Sequence, residues 1–256
     1  MRVFVTGASG HIGSAVVPEV LQAGHQVVGL ARSDGSAKAL AAAGAGVWRG
    51  DLDDLGGLRE AAGAADGVIH LAFKHDLMGA GDFPAAVAAD FAAIQALASA
   101  LEGTDKPLVT TSGTLMLAFA GITGRPGTEA DFAPGGPRVD AENFVTGLAG
   151  RGVRSSAVRL PPIVHSSLDH HGFAHILIGI ARQAGVSAYV GDGANRWPSV
   201  HTLDAARVYR LALGYRPRVV TGPQPTPGWH GARRRTAPVC SFRAMPRTAS
   251  LRRPWP

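Results

Sequence analysis

Thr6-Gly7-Ala8-Ser9-Gly10-His11-Ile12-Gly13 decides how this chain folds. The apolar run Val3-Phe4-Val5 leads into it, and residues 12–23 follow with Ile12, Val16, Val20 and Ala23 on one helical face. The octapeptide therefore turns a strand into a helix. Gly7 permits the tight turn, Gly10 lets the backbone approach a diphosphate, and Gly13 lets the helix pack close to the strand. Free N–H groups and the positive dipole end at the helix opening favour phosphate there. Ser9, His11 and Ile12 complete this candidate nucleotide-binding turn.

Working outward, the same alternation repeats. Strands are predicted at 26–31, 47–50, 68–72, 108–112 and 155–160, and helices at 37–43, 54–62, 83–101, 138–150, 173–184 and 202–213. A further short strand is predicted at 187–190. The strands show almost no polar alternation, which points to a parallel sheet buried on both faces. Right-handed crossovers then give an α/β fold, a Rossmann-type doubly wound parallel sheet. We expect a dinucleotide-binding domain over 1–160, a small and incomplete substrate-side region over 161–214, and an Arg/Pro-rich tail over 215–256.

Composition narrows the class. The 256 residues carry a formal charge of +6, but nine Arg and no acid lie beyond position 214, so the basic character belongs to the tail. That tail holds eight Pro and no sustained period, which predicts disorder. A nucleic-acid surface on the enzyme body is not implied. One cysteine, Cys240, excludes an internal disulfide and a cysteine-based metal site. His165, His170, His171 and His175 crowd together with Asp169, yet they precede or open a helix, so a solvated loop is expected rather than a metal site. Met1-Arg2-Val3-Phe4 enters a strand directly and no stretch reads as a membrane span, so a cytoplasmic protein is expected. The Ala-rich helix at 83–101 suits pairing with a second copy as a homodimer.

The end of the second strand bears on the coenzyme. An NAD site places an acid there; this chain has Arg32 and Ser33, which suit a 2′-phosphate, so NADP is expected with NAD as the alternative. Arg32 has the alternative of a solvated charge, and Asp34 is close enough to keep NAD open. Asp51, before Leu52, either accepts from an adenine amino group or caps a helix.

On these residues the chain resembles the short-chain dehydrogenase/reductase superfamily, in its extended or atypical, epimerase/dehydratase-like branch. Gly50-Asp51-Leu52 is similar to the adenine-contacting motif, and 68–72, ending in Leu71 and Ala72, is similar to the strand beneath the ribose. Asp90 falls where that family often carries a structural Asn. Thr110-Thr111-Ser112-Gly113-Thr114 resembles the strand end whose hydroxyl, here Ser112, polarises a substrate carbonyl. Pro161 and Pro162 fall in the segment that borders the nicotinamide, and residues 191–206, with Arg196 and His201 as candidate substrate-binding residues, match a late motif. Arg196 suits an anionic substrate group, with an ordinary surface ion pair as the alternative. The resemblance implies an NAD(P)-dependent oxidoreductase or epimerase acting on a small carbonyl or sugar-like substrate.

Two departures matter. Tyr189, Tyr209 and Tyr215 are followed four residues later by Gly193, Leu213 and Val219, so the family's Tyr/Lys pair is absent; residues 134–140 stand where it belongs. The site then needs another proton donor, for which His165, with an ordinary pKa near 6.5, is the candidate; a polar loop residue is the alternative. Loss of the pair also fits a non-catalytic coenzyme sensor. The second departure is the tail, which replaces the expected helical continuation and reads as a frameshifted or exchanged ending.

Overall fold

In β1 (Arg2–Thr6), Val3 and Val5 face one side of a sheet and Phe4 the other, and all three are buried. The computed structural model describes residues 1–214; the predicted Arg/Pro-rich tail lies outside the described residues. Five strands join β1 in parallel: β2 (Gln26–Ala31), β3 (Gly46–Arg49), β4 (Gly67–His70), β5 (Pro107–Gly113) and β6 (Arg154–Leu160). Their order, β3-β2-β1-β4-β5-β6, is that of the doubly wound Rossmann sheet, and the winding reverses between β1 and β4. The predicted fold class is the observed one.

Helices cover both faces. Val16, Val17 and Val20 of α1 (Gly13–Gln22), Leu40 of α2 (Asp34–Ala42) and Tyr209 and Leu213 of α9 (Thr202–Gly214) share one core cluster with Val3 and Val5. Leu58 of α3 (Leu55–Gly63) and Leu97 of α5 (Phe83–Ser99) pack with Phe4, Val68 and Leu108 on the other side. Against α5 lies α7 (Val139–Gly147), through Ile94, Ala141 and Val145. Two one-turn helices, α4 (His75–Gly79) and α6 (Leu115–Phe119), follow the carboxyl ends of β4 and β5.

The structure departs from expectation at three places. No strand forms at 187–190: Tyr189 and Val190 are exposed and no neighbouring strand meets them. Instead β7 (Ile163–His165) and β8 (Ser199–His201) pair in parallel as a separate small sheet. The helix expected over 37–43 begins at Asp34, because Ser33 and Ser36 form a reciprocal capping box. The helix expected over 138–150 gives way to a 3-10 turn at Leu148–Arg151. The helix expected over 173–184 forms as α8 (Phe173–Ala184), which buries none of its residues and exposes Phe173, Ile176, Leu177 and Ile180.

The last helix belongs to the sheet. Tyr209 is fully buried, burial pushes its phenol pKa up, and its hydroxyl meets Thr111 Oγ1 at 2.8 Å. Thr111 Oγ1 donates to the His70 carbonyl at 2.9 Å, so the Tyr209 hydroxyl donates to Thr111. We expect Tyr209→Phe to lower stability by about 1 kcal/mol, read as a lower urea midpoint with unchanged slope.

Candidate functional site

The glycine turn is built to the limits of its packing. Gly7 adopts φ +66°, and a Cβ there would lie 2.7 Å from the Ala72 nitrogen. A Cβ on Gly13 would overlap the Gly7 carbonyl and the Ala8 backbone. Gly10 differs, since a Cβ there meets nothing closer than the Gly7 oxygen at 3.3 Å. Ser33, Asp54 and Asp82 cap α2, α3 and α5, whereas no side chain caps α1, nor α4, α6, α7 or α8. The opening of α1 therefore keeps N–H groups for an external anion, which fits a dinucleotide's diphosphate.

Leu71 and Ala72, expected as the end of the fourth strand, instead follow β4 and lie against Gly7. Their N–H groups donate to Thr6 Oγ1 at 3.2 and 3.3 Å. At the other side, Ala31, Arg32, Arg49, Gly50, Asp51 and Asp54 line a cavity of about 300 Å³ at the carboxyl ends of β2 and β3. Asp51 Oδ1 accepts from Asp53 N at 2.8 Å, and Asp54 rather than Asp51 caps α3, accepting from Gly57 N at 2.9 Å. Leu52 is buried beneath the cavity in the Phe4 cluster. Arg32 lies 3.6 Å from Asp76, with most of its side chain in solvent. The Ser33 hydroxyl accepts from Ser36 N at 3.1 Å as a helix cap. Sequence reading misses Arg49, which donates to Ser33 O and Asp34 Oδ1, each at 2.7 Å; it hides as a polar residue at the end of a short strand.

Ser112 sits at the carboxyl end of β5, buried, and its Oγ has no hydrogen-bond partner; neither has Thr114 Oγ1. Around this strand end runs a buried polar chain that sequence reading does not find. Thr6 Oγ1 accepts two amides, so its proton goes to His70 Nδ1, at 2.8 Å. That leaves His70 Nε2–H to donate to Asp90 Oδ1, at 3.1 Å. The other Asp90 oxygen lies 3.8 Å from the Arg138 guanidinium. Asp90 thus occupies a structural position on α5, and the chain of contacts ties the glycine turn to the start of α7.

The remaining candidates lie in the segments between β6 and α9 and in the turn itself. Pro161 and Pro162 connect β6 to β7 and are half-buried. His165 and His201 face each other across the small sheet, ring centroids 5.7 Å apart, and His201 Nδ1 accepts from Leu203 N at 3.3 Å. Arg196 is exposed on the loop before β8. His11, in the turn, meets Thr202 Oγ1 at 2.8 Å and Asp169 at 3.7 Å; burial holds its pKa below the ordinary imidazole value. Asp169 also accepts from Gly172 N, which accounts for the carboxylate among the histidines. Arg159 binds Glu142 and the carbonyls of Thr128 and Asp131, tying the loop at 128–131 to β6 and α7. Among the described residues no His, Cys, Asp and Glu group is arranged to hold a metal, and no helix is long and apolar enough to cross a membrane.

Known proteins share this arrangement. The chain is 46% identical over 215 residues to the uncharacterized protein C2A9.02 of Schizosaccharomyces pombe, covering 83% of this chain and 70% of that one. It is 42% identical over 221 residues to the uncharacterized protein YLL056C of Saccharomyces cerevisiae, with the same coverage of 83% and 70%. The structure of MoeE5 in complex with UDP-glucose and NAD superposes with a TM-score of 0.67 at 25% identity, over 86% of this chain and 74% of that one. Residues 3–134 match the NAD dependent epimerase/dehydratase family. With the glycine turn, the sheet order and these relatives in agreement, the chain belongs to the NAD dependent epimerase/dehydratase family.

Proposed function

We propose that this protein is an NADP(H)-dependent oxidoreductase or epimerase acting on a small carbonyl or sugar-like substrate, with Ser112 binding the substrate oxygen. The observation that carries this reading is the Ser112 hydroxyl, buried and unpartnered where β5 ends. Leaving such a group unsatisfied costs about 1–3 kcal/mol, which a substrate oxygen offsets. The UDP-glucose held by MoeE5 supports the sugar-like half of the substrate class.

The coenzyme supplies hydride transfer. The turn from Gly7 to Gly13 holds its diphosphate, Leu71 and Ala72 flank the ribose, and Pro161 and Pro162 border the nicotinamide. Arg32 and Arg49 on the wall of the 300 Å³ cavity support a 2′-phosphate there, hence NADP over NAD. Asp51 and Leu52 bound the adenine side. His165 transfers the proton, while Arg196 and His201 contact the substrate. A coenzyme sensor is the second reading. It is favoured by the tyrosines among the described residues: Tyr209 is buried against Thr111, and Tyr189 is exposed on a loop.

NADPH consumption with a panel of aldehydes, ketones and sugar nucleotides separates the two. We expect turnover, and an about tenfold or greater loss of kcat/KM in Ser112→Ala with NADPH affinity retained. Arg49→Ala should weaken NADPH by about tenfold and leave NADH alone. NADPH binding without consumption of any substrate supports the sensor instead.

A further inference from the structure

Arg138 brings a cation to the Ser112 end of the sheet by an uncommon backbone route. It begins α7 in the left-handed region at φ +64°, a conformation that bulky residues keep where the surroundings demand it. Its side chain is 17% exposed, and three elements grip the guanidinium. One amino group donates to the Thr111 carbonyl at 3.0 Å, on the residue before Ser112. The other lies 3.8 Å from Asp90 on α5. The guanidinium carbon lies over the Phe73 ring, 4.4 Å from its centroid, on the loop after β4.

We infer that Arg138 is a positioning residue of this site, acting through Thr111 on Ser112. The inference rests on the role proposed for Ser112. Thr111 is held at both polar ends: its carbonyl by Arg138, its hydroxyl by the His70 carbonyl and Tyr209. The strand end is therefore fixed, and the Ser112 Oγ that follows it is left for a ligand. A hydroxyl that must meet a carbonyl oxygen in a reacting geometry gains from such fixing, because a displacement of about 1 Å costs about a hundredfold in rate. Arginine suits the task where lysine does not. Its planar fork bonds a carbonyl, faces a carboxylate and lies over a ring at once, while an ammonium is a single point charge.

The same charge gives a readout independent of turnover. His75 stands edge-on to Phe73, ring centroids 5.3 Å apart. Desolvation first, and the Arg138 charge as well, hold its pKa below the ordinary value, against the opposing Phe73 carbonyl and Asp76. Arg32 sits beyond Asp76, and the neighbouring Lys74 is paired with Asp53.

The test compares Arg138→Met and Arg138→Lys in the full chain. NADPH-dependent reduction of the best carbonyl in the panel should lose about a hundredfold in kcat in R138M, with NADPH affinity retained. The His75 ring resonance should titrate at higher pH in R138M and at the wild-type pH in R138K. R138K should recover part of kcat. If R138M does not fold, R138K carries the test: a kcat loss of about tenfold with an unmoved His75 midpoint supports the inference. Wild-type kcat in a folded R138M, or in R138K when R138M does not fold, overturns it, as does equal loss of kcat and NADPH affinity with an unmoved His75 in R138M. A wild-type protein that consumes no NADPH with any carbonyl overturns the reading of the site itself, a different result from turnover indifferent to Arg138.

Discussion

Gly10→Asp is expected to abolish coenzyme binding and to leave the protein folded. The two consequences separate because of what surrounds position 10. A Cβ there lies 3.3 Å from the Gly7 oxygen and meets nothing else within 4 Å. Its N–H bonds the Gly7 carbonyl at 3.0 Å, which a substitution leaves in place. A carboxylate beside the uncapped opening of α1 even favours the helix, by about 0.3–1 kcal/mol. The same carboxylate stands where the diphosphate belongs. A like-charge pair about 4 Å apart at an effective dielectric of about 20 is repelled by about 4 kcal/mol, roughly three orders of magnitude in affinity. Fluorescence titration with NADPH and a thermal melt together give the answer: no saturable binding, and a melting temperature at or above that of the parent. Gly13→Ala makes the contrast, since its methyl overlaps the Gly7 carbonyl and should lower stability as well as affinity. Parent-like affinity in G10D would remove the turn from coenzyme binding.

That turn was legible in the sequence because its chemistry is local. Three glycines at fixed spacing, a strand before and a helix after, are all contiguous. The sheet was legible for a related reason. Strands buried on both faces read as unbroken apolar runs such as Val68-Ile69, and their order follows from connection rules. The buried polar chain was not. Thr6 meets His70 across 64 positions and His70 meets Asp90 across 20, so only the fold brings them together. A sequence-level hint exists in Asp90, an acid amid the apolar residues of α5, since a buried charge requires a partner. Arg138 was hidden differently. Residues 134–140 read as a missing Tyr/Lys pair, and only the left-handed backbone at Arg138 aims a cation at Asp90 and Thr111. The strands β7 and β8, three residues each, carry no period long enough to recognise.

Asp90→Ala is expected to be the most destabilising of these substitutions. The Asp90 side chain is 4% exposed and the His70 side chain 1%, so water does not replace what the mutation removes. Two partners lose it at once. The Nε2–H of His70 loses its acceptor, and the Arg138 guanidinium loses its counter-charge while still held against Phe73 and Thr111. Truncating one member of a buried pair costs about 3–5 kcal/mol, more than the pair itself contributes, because the other charge remains buried. For a chain of this length that is roughly a 6–20 °C fall in melting temperature. Asp90→Asn separates the parts. Its amide oxygen still accepts from His70, but the charge facing Arg138 is lost as in D90A, so D90N is expected to recover only the His70 hydrogen bond, about 1 kcal/mol of the cost. The two variants also differ toward the coenzyme. In D90A the His70 ring is free to turn, Thr6 Oγ1 loses its fixed acceptor, and the Leu71 and Ala72 amides that Thr6 holds against Gly7 loosen, so NADPH affinity falls with stability. In D90N that end of the chain stays anchored and affinity holds. Equal melting temperatures for D90A and the parent would show that the chain from Thr6 to Arg138 supports neither the fold nor the turn.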